Sequence, residues 1–195
     1  MTRVLVVCTG NVCRSPIAEG LLRAAFVERM GPDAPEVASA GTMGWTGSGA
    51  DPSSIRAAAE RGVDISGHRA REVSYEEVAR ADLVVVMAPE HARAFAGEPG
   101  SRTFTLKELV RLLEALPEIE DASLGRLSER VAEADRLRRG GFDGDPGEEE
   151  IADPLGMPLD VFRAVAAELD EWCSRLAEGL VGRTQARRAT GSTGS

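Results

Sequence analysis

Histidine, cysteine and long apolar runs are all scarce in this chain. Two histidines, His68 and His91, and three cysteines, Cys8, Cys13 and Cys173, occur among 195 residues. No Cys/His spacing matches a zinc site, so no structural metal and no cofactor are expected. Three cysteines do not make a disulfide scaffold, and Cys8 and Cys13 are too close in sequence for a typical scaffold bridge. The longest apolar stretches, such as "LVVVM" (83–87), are far too short to span a bilayer, so no membrane insertion is expected. The opening "MTRVLVV" enters strand-like sequence directly. It lacks the apolar region and small-residue cleavage site of a signal peptide, which makes the cytoplasm the expected location.

Basic charge is outweighed as well. Lys and Arg number 23 against 32 Asp and Glu, a formal net charge of −9. That excludes a generic nucleic-acid binder, which would carry a basic face. It also repels anionic substrates at long range, so any phosphate site has to work through local geometry. What remains is a soluble composition, 43% hydrophobic and 28% charged. The length suits one sizeable core with room for one appended element.

Strand and helix patterns alternate along the chain. "RVLVVC" (3–8) and "DLVVVM" (82–87) are continuous β-branched runs, as expected of strands buried on both faces. "VASAG" (37–41) and "RTFTL" (102–106) read as shorter strands. Helical patterns occupy 15–30, with Ser15 in cap position and Pro16 in the first turn, and 51–62, stopped by Gly62. Further helices are expected at 74–81, opened by a Ser74/Glu77 capping box, at 89–97, and at 161–183. The expected fold is α/β: a single domain over residues 1–183 with a parallel sheet of about four strands and helices on both faces. Residues 112–150 read as a surface helical insertion with an acidic, Gly-rich connector, and 184–195 as a disordered tail. Ligands of such sheets bind at the carboxyl ends of the strands, and Cys8 closes the first one.

The stretch "VCTGNVCRSP" (7–16) places Cys8 and Arg14 around a short polar loop between strand and helix. Such a loop aims backbone N–H groups, together with the helix dipole, at one point that favours an anion. Gly10 is expected to relieve the turn. Arg14 offers a planar fork matched to two phosphate oxygens. Cys8, at the base of this cradle, sits in a positive potential that favours its thiolate and makes it a nucleophile. Ser15 is placed to donate a hydrogen bond to that thiolate. The chemistry expected is in-line attack of sulfur on phosphorus, followed by hydrolysis of a cysteinyl-phosphate. A lone cysteine ending a strand is more often a small buried hydrophobe; the Cys-x5-Arg-Ser spacing in a strand–loop–helix setting outweighs that alternative.

This loop closely resembles the phosphate-binding loop of the low-molecular-weight protein tyrosine phosphatases. "SAGT" (39–42), "GVDISGHRAREVS" (62–74), "ADLVVVM" (81–87) and "ADPLG" (152–156) resemble the same family, in the same order. The resemblance covers residues 1 to about 112 and 151 to about 180, and leaves out the insertion and the tail. It implies that Cys8 is the nucleophile and Arg14 the phosphate clamp. Thr9, Gly10, Asn11, Val12, Cys13 and Ser15 complete the loop, and Ser39 and His68 support Asn11. It also implies that Cys13 forms a reversible disulfide with Cys8, a role that competes with plain packing. A carboxylic acid on a mobile loop is implied as proton donor to the leaving group and later as base toward water. Asp145-Pro146 and Asp153-Pro154 compete for that role. The first sits in a solvated acidic run, whereas the second has apolar flanks and leads into the last helix, which favours Asp153.

Many relatives in this family carry two tyrosines after the Asp-Pro pair; here Leu155 and Gly156 stand there. That removes one aromatic wall, and Trp45 is the candidate for a wall on the other side. The implied substrate is phosphotyrosine on a protein, with inorganic phosphate as product. The main alternative is a protein arginine phosphatase, which "FTLKEL" (104–109) and "DPLG" (153–156) resemble more closely. That branch carries a threonine at the position of Val12, and an apolar branched residue there suits a phosphotyrosine ring. A thiol-dependent arsenate reductase would need a late resolving cysteine, and only Cys173 is available. A non-catalytic phosphoprotein binder would not need Cys8, Arg14 and Asp153 together.

Overall fold

The protein is described by a computed structural model covering residues 2–95, 102–119, 124–142 and 149–182. Strand β1 (Arg3–Cys8) is followed by α1 (Arg14–Met30) and a 3-10 turn (Gly31–Asp33). Then come β2 (Glu36–Gly41), α2 (Pro52–Ala59), α3 (Tyr75–Arg80), β3 (Leu83–Val86), α4 (Pro89–Arg93) and β4 (Thr103–Thr105). Helices α5 (Leu106–Glu114), α6 (Leu124–Arg139) and α7 (Leu159–Val181) complete the chain. All strand pairings are parallel, in the order β2-β1-β3-β4. The α/β class, the four-stranded parallel sheet and the single domain match the expectation.

The sheet is buried on both faces because β1 and β3 are apolar at every core position. Side chains alternate along a strand. Val4, Val6 and Cys8 therefore face one cluster, with Ile17, Leu22 and Phe26 of α1 and Phe162, Leu169 and Leu176 of α7. Leu5 and Val7 face the other, with Val78 of α3 and Phe95 after α4. The Ser74/Glu77 capping box that opens α3 is formed, and a second, Thr105/Glu108, opens α5.

Three expectations differ. Helix α6 is not a surface appendage: Leu127, Val131 and Ala134, at i, i+4 and i+7, are buried in the same cluster as α1 and α7. Each fully buried Leu or Val side chain contributes about 1.5–3 kcal/mol. Arg130, on the same helix, is buried and donates to the carbonyls of Leu113, Pro117 and Gly179 at 3.0–3.1 Å. Secondly, Ser15 does not cap α1. The helix begins at Arg14 behind Cys13, with no side-chain cap, and the Ser15 hydroxyl lies instead 3.0 Å from Cys8 Sγ. Thirdly, Gly10 is not the residue that takes the special backbone angle. Asn11 does, at φ 56°, as the non-glycine with positive φ among the described residues. The acidic connector at 143–148, with Asp145, and the tail at 184–195 lie outside the described residues.

Candidate active site

The strand order reverses beside β1, and the crevice at such a switch point is where open parallel sheets bind ligands. Residues 8–15 form the loop at that place. The first turn of α1 leaves its backbone N–H groups uncapped by any side chain, an arrangement suited to an anion. A second loop, 41–45, runs against the first through backbone bonds: Thr42 N to Cys8 O at 2.9 Å, Met43 N to Thr9 O at 3.0 Å and Trp45 N to Gly10 O at 3.2 Å. This contact needs Gly41, since a Cβ there would overlap the Thr9 carbonyl oxygen.

Asn11 organises the loop from below. Its Oδ1 accepts from the Arg71 backbone N–H at 3.0 Å, which fixes the amide orientation because a backbone N–H can only donate. Its Nδ2 then donates to Ser15 Oγ and Ser39 Oγ, both at 2.9 Å. The Ser39 hydroxyl donates in turn to Glu19 Oε2 at 2.6 Å, and His68 Nε2 donates to the Asn11 carbonyl at 2.8 Å. These bonds have one consistent direction. Ser15 Oγ already accepts from Asn11, so its hydroxyl proton is available to Cys8 Sγ, 3.0 Å away. The αL angle of Asn11, which costs an ordinary residue about 1–2 kcal/mol, is held by this network.

Arg14 is 3% exposed. It donates Nη1 to the Ile151 carbonyl at 3.0 Å and Nη2 to Asp153 Oδ2 at 2.6 Å, with a longer contact from Nη2 to Thr9 Oγ1 at 3.4 Å. The Asp-Pro segment is anchored to the end of β3 by Ile151 N to Met87 O at 2.8 Å. Leu155 N donates to the other oxygen of Asp153 at 3.1 Å. Cys8, Thr9, Gly10, Val12, Cys13, Arg14, Met43, Trp45, Asp153 and Leu155 line one cavity of about 170 Å³. A family model for the "Low molecular weight phosphotyrosine protein phosphatase" matches residues 3–122.

The chain belongs to this family. A probable low-molecular-weight protein-tyrosine-phosphatase EpsP of Ralstonia solanacearum is 42% identical over 100 residues, 51% of this chain and 65% of that protein. The match therefore spans under two thirds of that relative's length. A protein-arginine-phosphatase of Geobacillus stearothermophilus is 33% identical over 181 residues, 91% of this chain and 95% of that protein. Among solved structures, a low-molecular-weight protein tyrosine phosphatase from T. tengcongensis superposes with a TM-score of 0.68 at 33% identity, over 92% of this chain and 100% of that one.

Within this phosphatase-family fold, every site residue expected from sequence falls on one of two places. Cys8 to Ser15, Trp45, Asp153 and Leu155 surround or underlie the cavity, and Ser39 and His68 lie beneath Asn11. Cys8, Cys13 and Cys173 are free thiols. Burial pushes the Cys13 thiol up to about 12, and burial likewise raises that of Cys173. Cys173 faces the Ala18 carbonyl of α1, deep in the core. Trp45 and Leu155 are half-exposed on the rim, and Val12 is buried in the wall.

Sequence reasoning did not pick out Glu19, Met43 or His91. Glu19 sits on the second turn of α1, one helical turn past Ser15, which is the spacing that could have linked it to the loop. His91 carried no local signal. Only the parallel pairing of β1 with β3 brings it to Thr9, with Nε2 2.9 Å from Thr9 Oγ1.

Proposed function

We propose that this protein hydrolyses phosphotyrosine on protein substrates through a cysteinyl-phosphate intermediate, releasing inorganic phosphate. The carrying observation is the convergence of Cys8 Sγ, the Arg14 guanidinium and the Asp153 carboxyl on one apolar-rimmed cavity at the uncapped start of α1. The phosphoryl oxygens lie against the loop N–H groups and Arg14. Cys8 sulfur attacks phosphorus, the P–O bond to the phenol breaks, and protonated Asp153 gives its proton to the departing oxygen. Phenol leaves with a pKa of about 10, so proton donation helps without being indispensable. Asp153 carboxylate then takes a proton from water as that water attacks phosphorus, the S–P bond breaks, and the thiolate returns to the Ser15 hydroxyl. Charge on the transferring group is stabilised by fixed donors rather than by the acidic protein as a whole.

Substrate choice rests on the rim. Trp45, Met43 and Leu155, with Val12 behind them, offer apolar surface of the kind an aryl ring covers. The specific support for a second reading, protein arginine phosphatase, is the likeness to the Geobacillus stearothermophilus enzyme along nearly its full length. Steady-state kinetics on phosphotyrosine and phosphoarginine peptides separate the two. Val12→Thr is expected to raise phosphoarginine turnover relative to phosphotyrosine, and no gain counts against this account of specificity. Loss of aryl phosphatase activity in Cys8→Ser protein supports an enzyme over a phosphoprotein binder. Arsenate-dependent thiol consumption is expected to be absent. Cys173, the available late cysteine, is buried in α7 with its thiol raised, and is poorly placed to resolve an arseno-thiol at Cys8.

A further inference from the structure

We propose that His91 is a positioning residue of this site: as a neutral imidazole protonated on Nε2 it donates to Thr9 Oγ1. It thereby fixes that hydroxyl as an acceptor for Arg14 and turns the Thr9 proton toward the phosphoryl group. The proposal rests on the phosphatase reading above and adds two residues, His91 and the Thr9 side chain, to its machinery. His91 lies on α4, just past the carboxyl end of β3, and is 2% exposed. Its Nε2 is 2.9 Å from Thr9 Oγ1, and Arg14 Nη2 lies 3.4 Å from the same oxygen. Its Nδ1 is buried and meets no hydrogen-bond partner among the described residues.

These contacts choose the tautomer. A proton on Nδ1 alone would bury an N–H without an acceptor, the more costly kind of orphan. An imidazolium would bury the same orphan and add a second cation beside Arg14. With the proton on Nε2 alone, only a lone pair is left unused at Nδ1. The charged groups facing the ring are Arg14 from α1, Glu90 from its own helix and Asp153 from the loop after Ile151. Burial and Arg14 together outweigh the two carboxylates and favour the neutral ring.

The consequence falls on Thr9. A guanidinium can only donate, and so can the Nε2–H of this tautomer. Both therefore donate to Thr9 Oγ1 and occupy its two lone pairs. The Thr9 hydroxyl proton is then spent on neither. Thr9 lines the cavity beside Cys8, and an oxyanion there is the acceptor that completes its bonding. His91 thus acts on the phosphoryl group through Thr9 without touching it.

The test measures kcat and KM for p-nitrophenyl phosphate and the inhibition constant of inorganic phosphate at neutral pH. The proteins are the unaltered full chain, His91→Leu, His91→Gln, Thr9→Val and the His91→Leu/Thr9→Val double variant. His91→Leu is expected to weaken phosphate binding and lower kcat/KM about tenfold, the scale of one hydrogen bond at a charged site. His91→Gln, which can present an amide N–H near the Nε2 position, is expected to recover most of the loss. The double variant is expected to be no worse than Thr9→Val alone. Additive losses, an unaffected His91→Leu protein, or a Gln variant as poor as the Leu variant overturn the proposal. Should the Leu variant fail to fold, 15N NMR of the unaltered protein decides. A neutral Nε2–H imidazole at pH 7 supports the proposal, and an Nδ1–H tautomer or an imidazolium overturns it. An unaltered protein without aryl phosphatase activity overturns the underlying reading, and this proposal with it. An active protein that ignores His91 overturns this proposal alone.

Discussion

Arg14 Nη2 and Asp153 Oδ2 lie 2.6 Å apart, so the cation that would clamp a phosphoryl group and the acid that would protonate the leaving group are paired with each other. Arg14 is nearly enclosed, whereas Asp153 is half-open to solvent. A phosphoryl dianion entering the cavity offers Arg14 two oxygens in fork geometry and displaces the carboxylate. On the proposed mechanism, binding substrate would release Asp153 for proton transfer, and the carboxylate would compete with phosphate for Arg14.

Replacing Asp153 by Asn should separate these two effects. Loss of a general acid and base lowers kcat for phosphotyrosine peptides by about 10²–10⁴-fold. Loss of the competing charge strengthens binding of inorganic phosphate. Activity assays with phosphate as inhibitor check both in one experiment. A variant with lowered kcat and weakened phosphate binding would contradict the competition.

Asn11 carries the loop, and its substitution should reach both stability and activity. In Asn11→Ala the Arg71 N–H loses its acceptor, Ser15 Oγ and Ser39 Oγ lose the amide donor, and the positive φ remains without support. The expected destabilisation is about 3 kcal/mol, measured by urea unfolding. Asn11→Gly relieves the backbone angle and should regain about 1 kcal/mol of this. It should not regain kcat/KM, because the Ser15 hydroxyl is then free to turn away from Cys8. Equal activity in the two variants and the unaltered protein would remove Asn11 from the account of the site.

The parts of this site that are continuous in sequence were legible. A β-branched run, a polar loop and a helical pattern follow one another over residues 3–30, so the positions of Cys8, Arg14 and Ser15 at a strand–helix junction could be read directly. The place of Asp153 on the cavity was legible because its sequence neighbours are apolar, unlike those in the acidic run around Asp145. The roles within the loop were harder to read. The expected bond from Ser15 to Cys8 is present, but the capping role that its place before a proline also suggested is not filled. Gly10 looks like the residue a turn requires, yet the demand falls on Asn11, whose side chain is fed by a backbone N–H sixty residues away. His91 depends wholly on contacts between distant segments; the spacing of Leu127, Val131 and Ala134 marks an apolar face on α6, but only tertiary packing shows what covers it.

Arg130 should show that stability and chemistry are separable. It reaches the carbonyls of Leu113 in the last turn of α5, of Pro117 just beyond that helix and of Gly179 near the end of α7, tying α6 to both helices. Leu113 and Gly179 lie in the last turns of their helices, where backbone donors run short. Arg130→Ala is expected to cost about 3 kcal/mol, since several buried carbonyls lose charge-assisted bonds. The kcat/KM of the folded fraction should stay within about twofold, because distant and unconnected sites behave independently. Thermal unfolding and low-temperature kinetics on the same preparation check the pair of outcomes.

The pH dependence of stability should carry a contribution from His91 with a definite sign. Burial first, and Arg14 second, hold its pKa below the ordinary 6.5. The unfolded chain then takes up a proton near pH 6.5 while the folded protein does not. Over that interval the unfolded state binds more protons, so unfolding free energy rises with pH. Stability from this group is therefore fully present above pH 6.5. It falls as the pH drops from there through the lowered pKa of the folded state. The Arg14, Glu90 and Asp153 charges facing the ring are unchanged in His91→Gln protein, which removes only the titrating imidazole. Urea unfolding at closely spaced pH values should show the unaltered protein losing stability below pH 6.5 more steeply than the Gln variant. Parallel curves for the two proteins would mean that the ring takes up its proton alike in both states, and a steeper loss in the variant that folding favours the charged ring; either contradicts the expected sign.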